Sequence, residues 1–131
     1  MTSGTLALPL AIATGGAVGA LARHYMSHWI AGLWTAGPIP VGILAVNVLG
    51  SLLMGLLAEG LALKFELPQP LRAALIVGLL GAFTTFSTFS LETVLLIERH
   101  QYWQAGLYIA ASVIMSVGAL MAGMWLIRVL P

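Results

Sequence analysis

Four apolar stretches fill nearly all of this 131-residue chain. Each exceeds the about 20 residues a helix needs to cross the hydrocarbon core of a bilayer. They run from Thr5 to Leu33, Pro38 to Leu63, Pro70 to Ile97 and Tyr102 to Leu130. The links between them are short and hold most of the charge: Lys64, Glu66, Arg72, Glu98, Arg99 and His100 lie in or beside them. Only 7% of the residues are charged, against about 25% in a soluble domain, so the chain could not cover a surface facing water. Fold class follows: an all-α integral membrane protein of four transmembrane helices, one domain over residues 1–131, with both termini on one side. The N-terminal stretch has no Lys or Arg before Arg23, so it lacks the positive flank of a cleaved signal peptide and is expected to be the first membrane helix.

Composition also removes function classes. A net charge of +1 offers no basic stripe for nucleic acid. The absence of cysteine excludes thiolate chemistry and disulfides. His24, His28 and His100 sit near segment ends and make no metal-ligand set with nearby carboxylates. With no nucleophile–base pair, phosphate loop or catalytic carboxylate pair, the expectation is a protein that is not an enzyme.

Orientation is weakly specified. Lys64, Arg72 and Arg128 belong to the face that holds the termini, Arg23 and Arg99 to the other. Such a balance gives almost no positive-inside bias. Either a weaker signal sets the topology, or the protein inserts both ways and two copies pair antiparallel. Small residues spaced by four mark close helix packing: Gly15 and Gly19, Ser51 and Gly55, Gly118 and Ala122, Ala119 and Gly123.

Polar groups at membrane depth are costly and tend to be functional. Asn47, in the middle of the second segment, is either a helix–helix hydrogen-bonding group or part of a polar path. The third segment carries five hydroxyls and three phenylalanines in the ten residues from Gly81 to Ser90. Gly78 and Gly81 precede the run and loosen the helix there. A break at this point would free carbonyl oxygens able to hold a cation; an unbroken helix whose hydroxyls bond back one turn is the alternative. Phe86 and Phe89 are one turn apart. The edge of an aromatic ring is positive, so such rings attract a small anion weakly enough to release it. In the fourth segment Gln104, Tyr108, Ser112 and Ser116 recur every four residues, as a wet stripe or a packing face. Arg23 is placed either to gather anions at a mouth or to snorkel to the headgroups. Glu92 is a group of the same mouth or a marker of the interface. Trp29, Trp34, Trp103 and Trp125 are interfacial anchors.

The run Thr84-Thr85-Phe86-Ser87-Thr88-Phe89-Ser90 followed by Glu92 resembles the signature of the bacterial CrcB or Fluc fluoride channel family. Gly15 to Arg23 resembles that family's first-helix motif, Val46 to Ser51 its second-helix motif, and Tyr108, Ser112 and Ser116 its fourth-helix polar track. The resemblance covers nearly the whole chain. It implies an antiparallel, dual-topology homodimer in the bacterial cytoplasmic (inner) membrane, with a break in the third helix and two pores that export fluoride passively. It implies that Phe86 and Phe89 meet the ion, that Asn47 gives a donor, and that Ser87, Thr88, Tyr108, Ser112 and Ser116 line the path. Arg23 and Glu92 would stand at the vestibule. A structural sodium ion (Na+) at the dimer axis would be held by the backbone carbonyls of Gly81 and Thr84. The chain departs from the family at Ala82, often glycine there, and at Ile43, often threonine there. A small proton-coupled multidrug exporter would need a membrane-embedded carboxylate; the first segment has none, and Glu59 and Glu92 lie toward segment ends. A non-transporting assembly subunit would give no reason for a centre rich in Thr, Ser and Phe.

Overall fold

The computed structural model describes residues 4–131. Helix α1 spans Gly4–Leu33 and α2 spans Val41–Leu63. The third segment is composite: α3 over Gln69–Ala73, a π-helical stretch over Ala74–Leu80, a single turn α4 over Gly81–Phe83, and α5 over Phe86–Glu98. Helix α6 runs without interruption over Tyr102–Val129. Among the described residues there is no strand. Four helical stretches are long and apolar enough to cross a membrane, the third being Gln69–Glu98 taken whole. The protein is therefore a multi-pass membrane protein of four helices.

Its exterior is what lipid requires. Leu10, Ile114 and Met121 are exposed, and so are the four tryptophans near segment ends. The fully buried core is small, with Val46 and Tyr108 its largest members. Lipid tails are as apolar as leucine, so association of these helices rests on close backbone packing rather than on hydrophobic burial. Helix α2 packs chiefly on α6, and α1 on the π-helical stretch. A side chain at Gly55 would collide with the Leu120 carbonyl on α6, and one at Gly123 would stand 2.5 Å from the Leu52 carbonyl on α2. Gly15 and Gly19 face the backbone at Ala74 and Leu79 in the same manner, and Gly78 faces Ile12 in return. Gly78 thus serves contact between α1 and the third segment, which is a different role from the loosening its place in the sequence suggests. Gly118 meets nothing within 4 Å, so the Gly118–Ala122 spacing marks no contact within the chain.

The short link after α5 turns on His100, whose φ of 58° is left-handed. Histidine is among the residues that tolerate this conformation. The Gln101 amide reaches back to Leu96 O at 2.9 Å and closes the helix end. On the face bearing the chain's C-terminal end, Arg128 pairs with Glu59 at 2.6 Å, and Lys64 Nζ bonds the Leu130 carbonyl.

Candidate ion pathway

The third segment breaks at Thr84 and Thr85. Their φ/ψ pairs, −84°/153° and −153°/122°, are extended. A membrane helix tolerates this only where other groups replace the lost hydrogen bonds. Asn47 on α2 replaces one such bond and adds a second. Its Nδ2 donates to Thr85 O at 3.1 Å, and its Oδ1 accepts from the Thr85 amide at 2.9 Å. The side-chain amide pairs with a peptide unit as a neighbouring strand would. Thr85 then starts α5: its Oγ1 accepts from the Thr88 amide at 3.2 Å, as an N-cap hydroxyl does, and lies 3.1 Å from Ser87 Oγ.

The break leaves the four carbonyls from Gly81 to Thr84 without helical donors, and for two of them the diverted donor is identified. In a continuous helix Gly81 O would accept from the Thr85 amide and Thr84 O from the Thr88 amide. Asn47 takes the first donor and the Thr85 hydroxyl takes the second. Elsewhere in the run the hydroxyls bond back one turn: Thr84 to Leu80 O at 3.0 Å, Ser90 to Phe86 O at 2.9 Å, and Thr93 to Phe89 O at 2.8 Å.

A groove of about 520 Å³ opens at the break. It brings together Asn47, Phe86, Phe89, Ser112 and Ser116, with Gly81 and Thr84 in its wall. No side chain lining it is ionised. The Ser112 hydroxyl is buried and has no hydrogen-bond partner. Phe86 is 78% exposed, and its ring centroid lies 5.3 Å from that of Phe89. Phe89 in turn lies 5.3 Å from the ring of Tyr108.

Not every residue of the polar pattern faces this groove. Tyr108 is fully buried beside Leu96 and Ala105, with Phe89 packed on that cluster. Its hydroxyl donates to Glu92 Oε2 at 2.6 Å. Thr88, Arg23 and Glu92 line a second cavity of about 360 Å³ between α1, α2 and α5, together with His24, Ser27 and His28. Tyr108 connects the two regions, since it touches Phe89 on one side and holds Glu92 on the other. Ser87 is exposed on α5 and lines neither cavity.

Sequence reasoning passed over Thr85 as a site residue, although it is the hub of the break. Threonine is a favoured N-cap residue, and one standing just before a helix restart could have flagged it. It also passed over Gly50, where a side chain would collide with the Thr84 methyl group. No sequence signal for that contact exists, because the neighbours are 34 residues apart.

Residues 10–124 match the family described as CrcB-like protein, Camphor Resistance (CrcB). A Nitrobacter hamburgensis protein named fluoride-specific ion channel FluC 1 is 49% identical over 121 residues, covering 92% of this chain and 95% of its own length. Proteins named fluoride-specific ion channel FluC from Rhodospirillum centenum and Nitrobacter winogradskyi are 50% and 47% identical over 91% and 92% of this chain, covering 94% and 95% of their own lengths. The chain belongs to the CrcB-like family.

Proposed function

We propose that the protein is a fluoride-selective channel that lets fluoride leave the cell down its gradient through the bacterial cytoplasmic membrane. The observation that carries this reading is the groove at the break. Five residues of the polar and aromatic pattern converge there and no ionised group lines it. Such a lining suits a small anion in passage. Hydroxyl and amide donors together with ring edges replace part of the hydration shell, while the absence of a fixed cation keeps the ion free to leave. Asn47 has one Nδ2 hydrogen beyond the one given to Thr85, and this hydrogen is the donor offered to the ion. The family relationship and the names of its relatives support the choice of fluoride.

A second copy of the chain completes the pathway in this reading. Phe86 protrudes from the single chain and the groove is open on that side. Two chains related by an axis in the membrane plane would cover both grooves and give two pores per antiparallel homodimer. The near-equal distribution of Lys and Arg over the two faces permits insertion in both directions. The released Gly81 and Thr84 carbonyls fit a structural sodium ion, because they are neutral, hard oxygen donors without a helical partner. Bound there, the ion would supply positive charge against carbonyl oxygens gathered from both chains.

Proton-coupled drug export would need a carboxylate free within the bundle, but Glu59 is paired with Arg128 and Glu92 accepts from Tyr108. The test is fluoride efflux from liposomes holding the purified protein, read with a fluoride electrode against a chloride control. Rapid fluoride release with little chloride release is the expected result. No fluoride release from a folded protein would overturn the assignment.

A further inference from the structure

The cavity beside Glu92 contains a pair of side chains that fluoride passage does not use. His24 and His28 stand one turn apart on α1, with ring centroids 4.4 Å apart. His28 Nδ1 lies 2.7 Å from His24 O. A carbonyl oxygen can only accept, so Nδ1 must carry the hydrogen, and the neutral ring then presents its lone pair at Nε2. A backbone carbonyl holding one ring nitrogen is the usual outer support of a metal-bound histidine. Both residues are exposed and line the cavity that also contains Arg23, Ser27, Thr88 and Glu92. They lie in the last turns of α1, near the segment end, where aqueous ions have access.

We propose that His24 and His28 form a two-histidine site for a divalent transition-metal ion such as Zn2+ or Ni2+, and that an ion bound there obstructs the vestibule. Imidazole suits these metals. Two histidines four residues apart on one helix face can share a zinc ion, and with ring centroids 4.4 Å apart side-chain rotation suffices to bring a nitrogen of each to the ordinary zinc–nitrogen distance of about 2.0–2.1 Å. Among the described residues no third His, Cys, Asp or Glu completes a protein cage. Water fills the remaining positions, so the metal exchanges and is not a resident cofactor. The charge of Arg23 opposes a cation here, and the carboxylate of Glu92 in the same cavity offsets it. The obstruction, unlike the binding, rests on the channel reading above.

The test begins with calorimetric titration of Zn2+, and separately Ni2+, into the purified full-length protein. One ion per chain is expected, with His100→Ala unchanged. Losing an outer support of a metal ligand costs about 10–100-fold in affinity, so His24→Ala and His28→Ala should each weaken binding at least about tenfold. If either variant fails to elute as the wild type does, His24→Asn and His28→Gln replace it. Undiminished affinity in the double variant would overturn the site. Fluoride efflux is then measured with and without Zn2+, each variant against its own metal-free rate. Wild-type efflux should fall and His28→Ala efflux should not. Zn2+ binding with undiminished efflux would overturn the obstruction alone. A wild type that passes no fluoride even without metal would instead overturn the channel reading, and calorimetry would still decide the site.

Discussion

The third segment and α6 differ little in length and hydropathy: 30 residues at 1.7 against 28 residues at 1.9. Both carry hydroxyls at mid-membrane, yet α6 is continuous while the third segment breaks at Thr84 and Thr85. The difference lies in the partner. Ser112 and Ser116 face the groove from a helix whose backbone bonds are intact, and no neighbouring side chain competes for them. Thr85 has Asn47 opposite, an amide placed to accept from its N–H and donate to its carbonyl at once. Hydroxyl content does not break a membrane helix; a neighbour able to take over the backbone's hydrogen bonds does.

The most disruptive way to test that contrast is Asn47→Leu. It strands the Thr85 N–H, at about 1–3 kcal/mol for an unsatisfied buried donor, while the Thr85 C=O keeps its helical bond as the N-cap of α5. A stability loss of about 1–3 kcal/mol is expected, measured by denaturant unfolding in detergent, together with loss of fluoride flux. Near-wild-type stability would mean that the break holds itself open without α2. Phe86→Ile and Phe89→Ile act on the groove and leave those bonds alone. Each should retain the fold and reduce efflux at least about a hundredfold, a barrier increase of about 2.7 kcal/mol. Wild-type flux in both variants would remove the rings from the pathway.

Gly55→Ala probes the other side of the comparison, the continuous α6. The new methyl group would meet backbone at Leu120, which cannot rotate away. Overpacking of this kind costs about 1–3 kcal/mol. Gly118→Ala, with nothing within 4 Å in the chain, is the matched control. A stability change in Gly118→Ala that follows protein concentration would place Gly118 at a contact between copies.

Much of this was legible beforehand, for identifiable reasons. Hydropathy marks four membrane helices because lipid imposes one length and one composition on each. Hydroxyls and phenylalanines crowd the ten residues that hold the break, but by themselves they leave a broken and an unbroken helix open; the resemblance to the CrcB family decides for the break. From the residues alone its position is not legible, since it depends on an asparagine 38 residues away. Gly78 looked like a loosening residue because only the assembled bundle brings it against Ile12. Tyr108 shares a spacing with Ser112 and Ser116, but its ring fills the core while the two smaller side chains line the groove. Period alone gives an angular position; side-chain size and the neighbouring helix decide whether that position faces a space or a wall.

Ser112→Ala has the smallest expected effect and separates two roles most cleanly. The hydroxyl is buried without a well-formed hydrogen bond, its one candidate partner being the Tyr108 hydroxyl a turn earlier on α6. Removing it breaks no more than that weak contact, and stability should change by no more than about 1 kcal/mol. If the groove conducts, rotation of the Ser112 side chain would turn its hydroxyl to the passing ion, and its loss should slow fluoride efflux about threefold to tenfold, equivalent to about 0.7–1.4 kcal/mol on the barrier. Reduced flux at unchanged stability assigns Ser112 to the path. Unchanged flux moves the path away from α6, and a large loss of stability would mean that the hydroxyl has a partner in the assembled protein that the single chain lacks.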